Sequence, residues 1–147
     1  RLDKFIGDGV MAIFGLNTDP RTACRQALDA ARRMALALDD LNEGMSGDLD
    51  LPLRIGIGLH AGPAIVGEMG YERAAQITAI GDTVNTASRL ETLTKEFGAE
   101  LVVSQDLLDG AGVKLETAPR HDVEIRGRQG RLAVRAITSA SDLTAMS

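Results

Sequence analysis

The sequence predicts an α+β domain, and three observations carry that reading. Short β-prone runs come in pairs around glycine-containing turns, apolar residues recur at helical spacing over two stretches, and strands and helices alternate without an internal repeat. Hairpins mixed with packing helices are what an α+β fold needs.

Residues 2–6 and 10–14 are β-prone runs separated by Gly7-Asp8-Gly9, the signature of a hairpin with Asp8 at its tip. Asp19-Pro20 supplies a capping residue followed by proline at the first helical position, and Gly44 supplies a terminator. Between them Cys24, Ala27, Leu28, Ala31, Met34, Ala35, Leu38 and Leu41 recur at spacings of three and four, so this segment is a long amphipathic helix. Residues 53–59 and 64–68 read as a second hairpin around His60-Ala61-Gly62-Pro63. Val84, Ala87, Leu90, Leu93 and Phe97 mark a helix over residues 83–97 whose other face carries Asn85, Arg89 and Thr92. Residues 101–104 form a buried strand, 105–108 a short helix, and 113–116, 122–126 and 132–137 the last strands. Residues 138–147 are expected to be a flexible tail of this single domain, which spans 1–147.

A chain of 147 residues is one domain, able to bury on the order of two-thirds of its unfolded surface. Hydrophobic content of 44% against 25% charged residues describes a soluble globular protein, and a net charge of −5 argues against a nucleic-acid partner. Cys24 is the single cysteine, which excludes an internal disulfide and a cysteine zinc cluster. No apolar stretch approaches the ~20 residues of a membrane span, and the first residues are no signal peptide. A cytoplasmic domain is the expectation, with room for a membrane anchor upstream.

Three constellations bear on chemistry. Lys4 and Asp8 place a cation on a strand and a carboxylate at an open turn, where magnesium could be held through one or two carboxylates; Gly-Asp-Gly is equally a common hairpin turn. Asn85 and Arg89 lie four residues apart on one helical face just beyond a Gly-Asp turn, with Thr78 shortly before it. Such a pair fits ribose and phosphate, or simply a solvated surface. Arg126, Arg128 and Arg131 cluster in a glycine-containing turn, which suits a polyphosphate or a charged edge that blocks strand pairing.

Taken together, DKFIGDGVMAIFG, RIGIGLHAGPAIVGEMG and QITAIGDTVNTASRLE resemble, in that order, the class III nucleotidyl cyclases, the adenylate and guanylate cyclases. The resemblance runs from Leu2 to about Ile137, and Thr78, where many relatives have aspartate, resembles the bacterial and soluble-cyclase branch. It implies a ferredoxin-like cyclase fold, with a mixed, mainly antiparallel sheet. It also implies adenylate cyclase activity: the ribose 3′-oxygen of ATP attacks the α-phosphorus and pyrophosphate departs, giving 3′,5′-cyclic AMP. Under the resemblance Asp8 is a metal ligand for two Mg2+ or Mn2+ ions, one activating the attacking hydroxyl and one clamping the departing phosphates. Lys4 and Thr78 read the purine, and both suit adenine, because lysine donates to the adenine N1 and the threonine hydroxyl accepts from the amino group. Asn85 orients the ribose, Arg89 stabilises charge on the pentavalent phosphate, and Arg126 or Arg128 holds the triphosphate tail.

In this family the metal set and the purine, Asn and Arg set come from different protomers, which implies a homodimer with two equivalent sites. An upstream regulatory or input domain is a further expectation. The chain departs from the family pattern in lacking the first strand, with its metal aspartate, and the helix that follows. The expectation is an N-terminally truncated domain with an exposed apolar groove, inactive alone. Two alternatives stay open: a non-catalytic cyclase-like regulatory or dimerisation module, which the presence of Lys4, Asp8, Asn85 and Arg89 opposes, and a guanylate cyclase, which Lys4 and Thr78 disfavour. Other motifs carry nothing further. Gly56 to Gly62 is a near miss to the dinucleotide fingerprint without a following helix, no P-loop stretch occurs, and His60 and His121 read as structural.

Overall fold

The computed structural model describes residues 2–6, 9–48, 50–63, 65–69, 76–125 and 130–144, with only the backbone course for 2–6, 65–69 and 76–80. Strands β1 (Leu2–Ile6) and β2 (Gly9–Ala12) are followed by helix α1 (Pro20–Gly44) and strand β3 (Ile57–Leu59). Strands β4 (Ile65–Met69) and β5 (Gln76–Ile80) lead into α2 (Asp82–Phe97). Then come β6 (Leu101–Ser104), α3 (Gln105–Ala111), β7 (Arg120–Glu124), β8 (Arg131–Ile137) and a 3-10 turn, Ala140–Asp142. No described helix is long and apolar enough to cross a membrane.

Helix α1 begins where its sequence says it should. Asp19 accepts from the Thr22 amide at 2.9 Å and from the Thr22 hydroxyl at 2.7 Å, and Pro20 opens the first turn. These two bonds, the amide's first, hold the Asp19 carboxyl below the usual aspartate range. Asp29 is buried on this helix and is met by Arg32 at 3.1 Å and Arg33 at 2.8 Å. The Arg25 guanidinium donates to the Ala111 carbonyl at 2.8 Å, which ties α1 to the end of α3.

The α+β expectation holds, in a four-stranded mixed sheet ordered β3-β6-β8-β7 and two further antiparallel pairs, β1-β2 and β4-β5. Strand β6 is buried on both faces, as an interior strand between helices must be. Leu101 and Val103 join Leu28, Ala31 and Ala35 of α1 and Leu107 and Leu108 of α3 in one core. Val102 points the other way, into a second core with Leu90 and Leu93 of α2, Leu132 and Val134.

The structure corrects several expected elements. Residues 53–59 and 64–68 do not pair: β3 runs parallel to β6, Ile57 opposite Leu101, while β4 pairs with β5, Ile65 opposite Ile80. Residues 113–116 are no strand, because the Val113 amide is taken by the Leu108 carbonyl and the Leu115 carbonyl by the Ala118 amide. Strand β7 starts and ends two residues before the expected 122–126, its register fixed by β8, and α3 runs on to Ala111. Where a loose tail was expected from residue 138, Ala140 and Leu143 are buried in the core with α1, and the Ala140 amide donates to Glu100 at 2.8 Å.

Two measurements check this packing. Leu28 is fully buried, so Leu28→Ala should cost about 2–5 kcal/mol in urea denaturation, whereas a loss under ~1 kcal/mol would mean that the site collapses around the gap. The Asp19 carboxyl titrates lower folded than unfolded, so its cap contributes fully above the ordinary aspartate pKa of about 4 and fades as pH falls through the folded value. Asp19→Ala should therefore lower the melting temperature by a few degrees near pH 7 and not in strong acid; equal losses at both would remove the charge from the account.

Candidate active site

The candidate site grows from the junction of β5 and α2. Strand β5 carries Thr78 opposite Gly67 of β4, and after Ile80 the chain turns at Gly81, whose φ of 147° lies outside the range other residues adopt easily. Gly81 is also the N-cap of α2, and no side chain caps the helix there. The amides of Val84 and Asn85 both reach back to the Gly81 carbonyl, at 3.1 and 3.2 Å.

One face of α2 packs and the other is bare. Thr86, Leu90, Leu93 and Thr94 are buried, while Asn85 and Arg89, one turn apart, are exposed. Among the described residues no hydrogen bond or ion pair holds either of these two side chains. An amide and a guanidinium thus face outward together on a rigid element, free to donate to a ligand.

Helix α2 can lie where it does because β3 has no side chain in the way. A Cβ on Gly58 would overlap the Ala87 carbonyl oxygen and the Glu91 backbone nitrogen, and one on Gly56 would overlap the Thr94 hydroxyl. Both glycines point to the same face, two residues apart on an extended segment. Their alternation in the sequence, which also makes the near miss to the dinucleotide fingerprint, is the signal for close helix approach. Beyond β3, the Thr83 hydroxyl donates to the Pro63 carbonyl at 2.5 Å, a contact that no sequence pattern announced.

The remaining expected residues divide by what the structure describes. Lys4 sits on β1 opposite Met11, and β1 lies against β5, so the strands bearing Lys4 and Thr78 are neighbours. The side chains of Lys4 and Thr78 are outside the described residues, as are Asp8, Arg126 and Arg128 altogether. Among the described residues no three His, Cys, Asp or Glu side chains converge, and the candidate metal ligand Asp8 lies outside them. An open groove of about 380 Å³, mainly apolar, lies between β2 and β3, lined by Phe14, Cys24, Leu59, His60 and Val84 among others. Burial pushes the Cys24 thiol up, which keeps it protonated and unreactive. His60 Nδ1 lies 2.8 Å from the Ser104 hydroxyl, which itself caps α3, and His121 stacks on Phe97 with ring centres 4.0 Å apart. Both histidines thus have structural contacts.

Comparison with known proteins gives the arrangement its family. Residues 4–138 match the adenylate and guanylate cyclase catalytic domain. An adenylate cyclase of Anabaena cylindrica is 40% identical over 111 residues, covering 73% of this chain and 21% of that protein. Adenylate cyclase 1 of Rhizobium meliloti is 33% identical over 135 residues, covering 89% of this chain, which spans 20% of that relative's length. The crystal structure of the guanylyl cyclase Cya2 superposes over 100% of this chain and 74% of its own, with a TM-score of 0.80 at 25% identity. That of the adenylyl cyclase CyaB from P. aeruginosa gives 0.73 at 24% identity, over 97% of this chain and 74% of its own, which speaks for the fold. A family match over residues 4–138, together with relatives at 33% and 40% identity, means that the chain belongs to the adenylate and guanylate cyclase catalytic domain family.

Proposed function

We propose that this domain is the catalytic domain of an adenylate cyclase, converting ATP to 3′,5′-cyclic AMP and pyrophosphate. The observation that carries the reading is the exposed Asn85 and Arg89 pair on α2, on the helix that continues directly from the strand of Thr78. In the reaction the ribose O3′ forms a bond to the α-phosphorus, the bond from that phosphorus to the bridging oxygen of the β-phosphate breaks, and the O3′ proton is lost. Little covalent help is required, so catalysis rests on alignment and on charge neutralisation.

Each residue then has a part. The Asn85 amide fixes the ribose so that O3′ lies in line, and the Arg89 guanidinium takes the charge that builds on the phosphate oxygens. Lys4 and Thr78 select adenine, one by donating to N1 and the other by accepting from the amino group. Arg126, ahead of Arg128, binds the triphosphate tail. Asp8 is the carboxylate through which a divalent ion would be held. Donors on α2 and the carboxylate of Asp8, between β1 and β2 in the sequence, are the two halves of the proposed site, and a homodimer that joins the halves of two copies gives two equivalent sites.

A guanylate cyclase is the second reading. Retinal guanylyl cyclase 2 of Homo sapiens is 33% identical over 132 residues, 84% of this chain and 10% of that protein, so the family resemblance alone does not choose the base. The choice falls to Lys4 and Thr78, because guanine presents a proton at N1 where lysine has nothing to accept it.

Turnover of ATP and of GTP by the full-length protein, each with Mg2+ and with Mn2+, tests the reading. Cyclic AMP should exceed cyclic GMP by at least ~10-fold in kcat/KM; the reverse preference would establish the second reading. Arg89→Ala should lower kcat by about 100-fold or more with KM changed little, as expected for a contact made mainly in the transition state. A variant that retained the full rate would remove Arg89 from the mechanism.

A further inference from the structure

We propose that Thr83 is a positioning residue for Asn85 and Arg89, acting through its hydrogen bond to the Pro63 carbonyl. The kinetic part of this inference rests on the adenylate cyclase reading; its structural part does not.

The need for such a tether follows from how α2 begins. Its N-cap is a glycine without a side-chain cap, so the first turn lacks the bond that normally fixes a helix start. Asn85 lies in that weakly held turn, and an amide that must align a ribose tolerates little fraying there. Further along, the helix is seated by the close approach of Ala87 and Glu91 to Gly58, which fixes its middle and leaves its start free to pivot. Thr83 closes that freedom. Its hydroxyl spans twenty residues of sequence to the Pro63 carbonyl.

The place of the tether strengthens the case. Ile65 opposite Ile80 is the last pair of the β4-β5 ladder, and Pro63 and Thr83 flank it on the outer side. The bond therefore closes the base of the hairpin and fastens it to the helix in one contact. Thr78 is on that hairpin and Asn85 and Arg89 are on that helix, so the tether fixes the strand proposed to read the base relative to the donors proposed to hold ribose and phosphate. Gly62 belongs to the same device: a Cβ there would come within 2.7 Å of the Thr83 hydroxyl oxygen, close enough to push it off the carbonyl.

The test uses Thr83→Val, Thr83→Ser, Gly62→Ala and the Thr83→Val/Gly62→Ala double variant in the full-length protein. Valine keeps the branched shape and loses the donor, serine keeps the donor, and Thr83 is only partly buried, so folding should survive in each. Thr83→Val should lower kcat for ATP about 10- to 100-fold with KM within about threefold, because misplacement by an ångström or less costs on that order. Thr83→Ser should restore at least about half the rate. Gly62→Ala should reproduce the valine defect, and the double variant should be no worse than the poorer single, since both break one bond. A wild-type rate in Thr83→Val, an equal loss in Thr83→Ser, or multiplicative losses in the double variant would overturn the proposal. Amide hydrogen exchange separates it from the cyclase reading. Exchange at Val84 and Asn85 should quicken in Thr83→Val whether or not ATP is turned over, and unchanged exchange there would refute the tether even in an active cyclase.

Discussion

The contact on which the structure turns is the approach of α2 to β3 at Gly58. With no side chain between them, helix and strand meet backbone to backbone, so the helix cannot shift along or away from the sheet without opening a gap or a clash. Glycine in a strand is weakly stabilising in itself, and the gain here is positional. The helix so placed turns Thr86, Leu90 and Leu93 inward and leaves Asn85 and Arg89 facing out.

Stability and chemistry are thereby separated across the sheet. Helices α1 and α3 bury Leu28, Ala35, Leu107 and Leu108 against one face of β6, where no proposed catalytic group lies. Helix α2 covers the other face through Leu90 and Leu93, and Asn85 and Arg89 stay exposed on its far side. That far side exposes this amide and guanidinium beside Ser88, Thr92 and Glu96. A reaction at a phosphate also calls for carboxylates to handle a divalent ion, and the chain's candidate, Asp8, lies in the sequence between β1 and β2. The homodimer reading rests on the family resemblance, which puts the metal set and the Asn and Arg set on different protomers.

Much of this was legible in the residues, for identifiable reasons. Helix α1 was readable because Asp19 and Pro20 form a local start signal and because its apolar stripe is long, and α2 because its stripe is unbroken from Val84 to Phe97. The pair Asn85 and Arg89 needed only helical periodicity to be put on one face. The β3 ladder was not legible, since its partner β6 is more than forty residues on and parallel pairing leaves no turn in between. Residues 113–116 misled because Val113 and Leu115 are apolar for the sake of the core, while their backbone is used in turns. The tether from Thr83 to Pro63 had no sequence signal at all, being a side chain to backbone bond across a hairpin whose strands were themselves misassigned.

The central claim is that one face of α2 is the ribose and phosphate half of an ATP site. The most direct measurement is a crystal structure of the full-length protein with a non-hydrolysable ATP analogue. The account predicts the Asn85 amide within hydrogen-bond distance of the ribose and the Arg89 guanidinium at a phosphate oxygen, with the adenine between the strands of Lys4 and Thr78. A nucleotide seated elsewhere, with Asn85 and Arg89 still exposed to solvent, would contradict it.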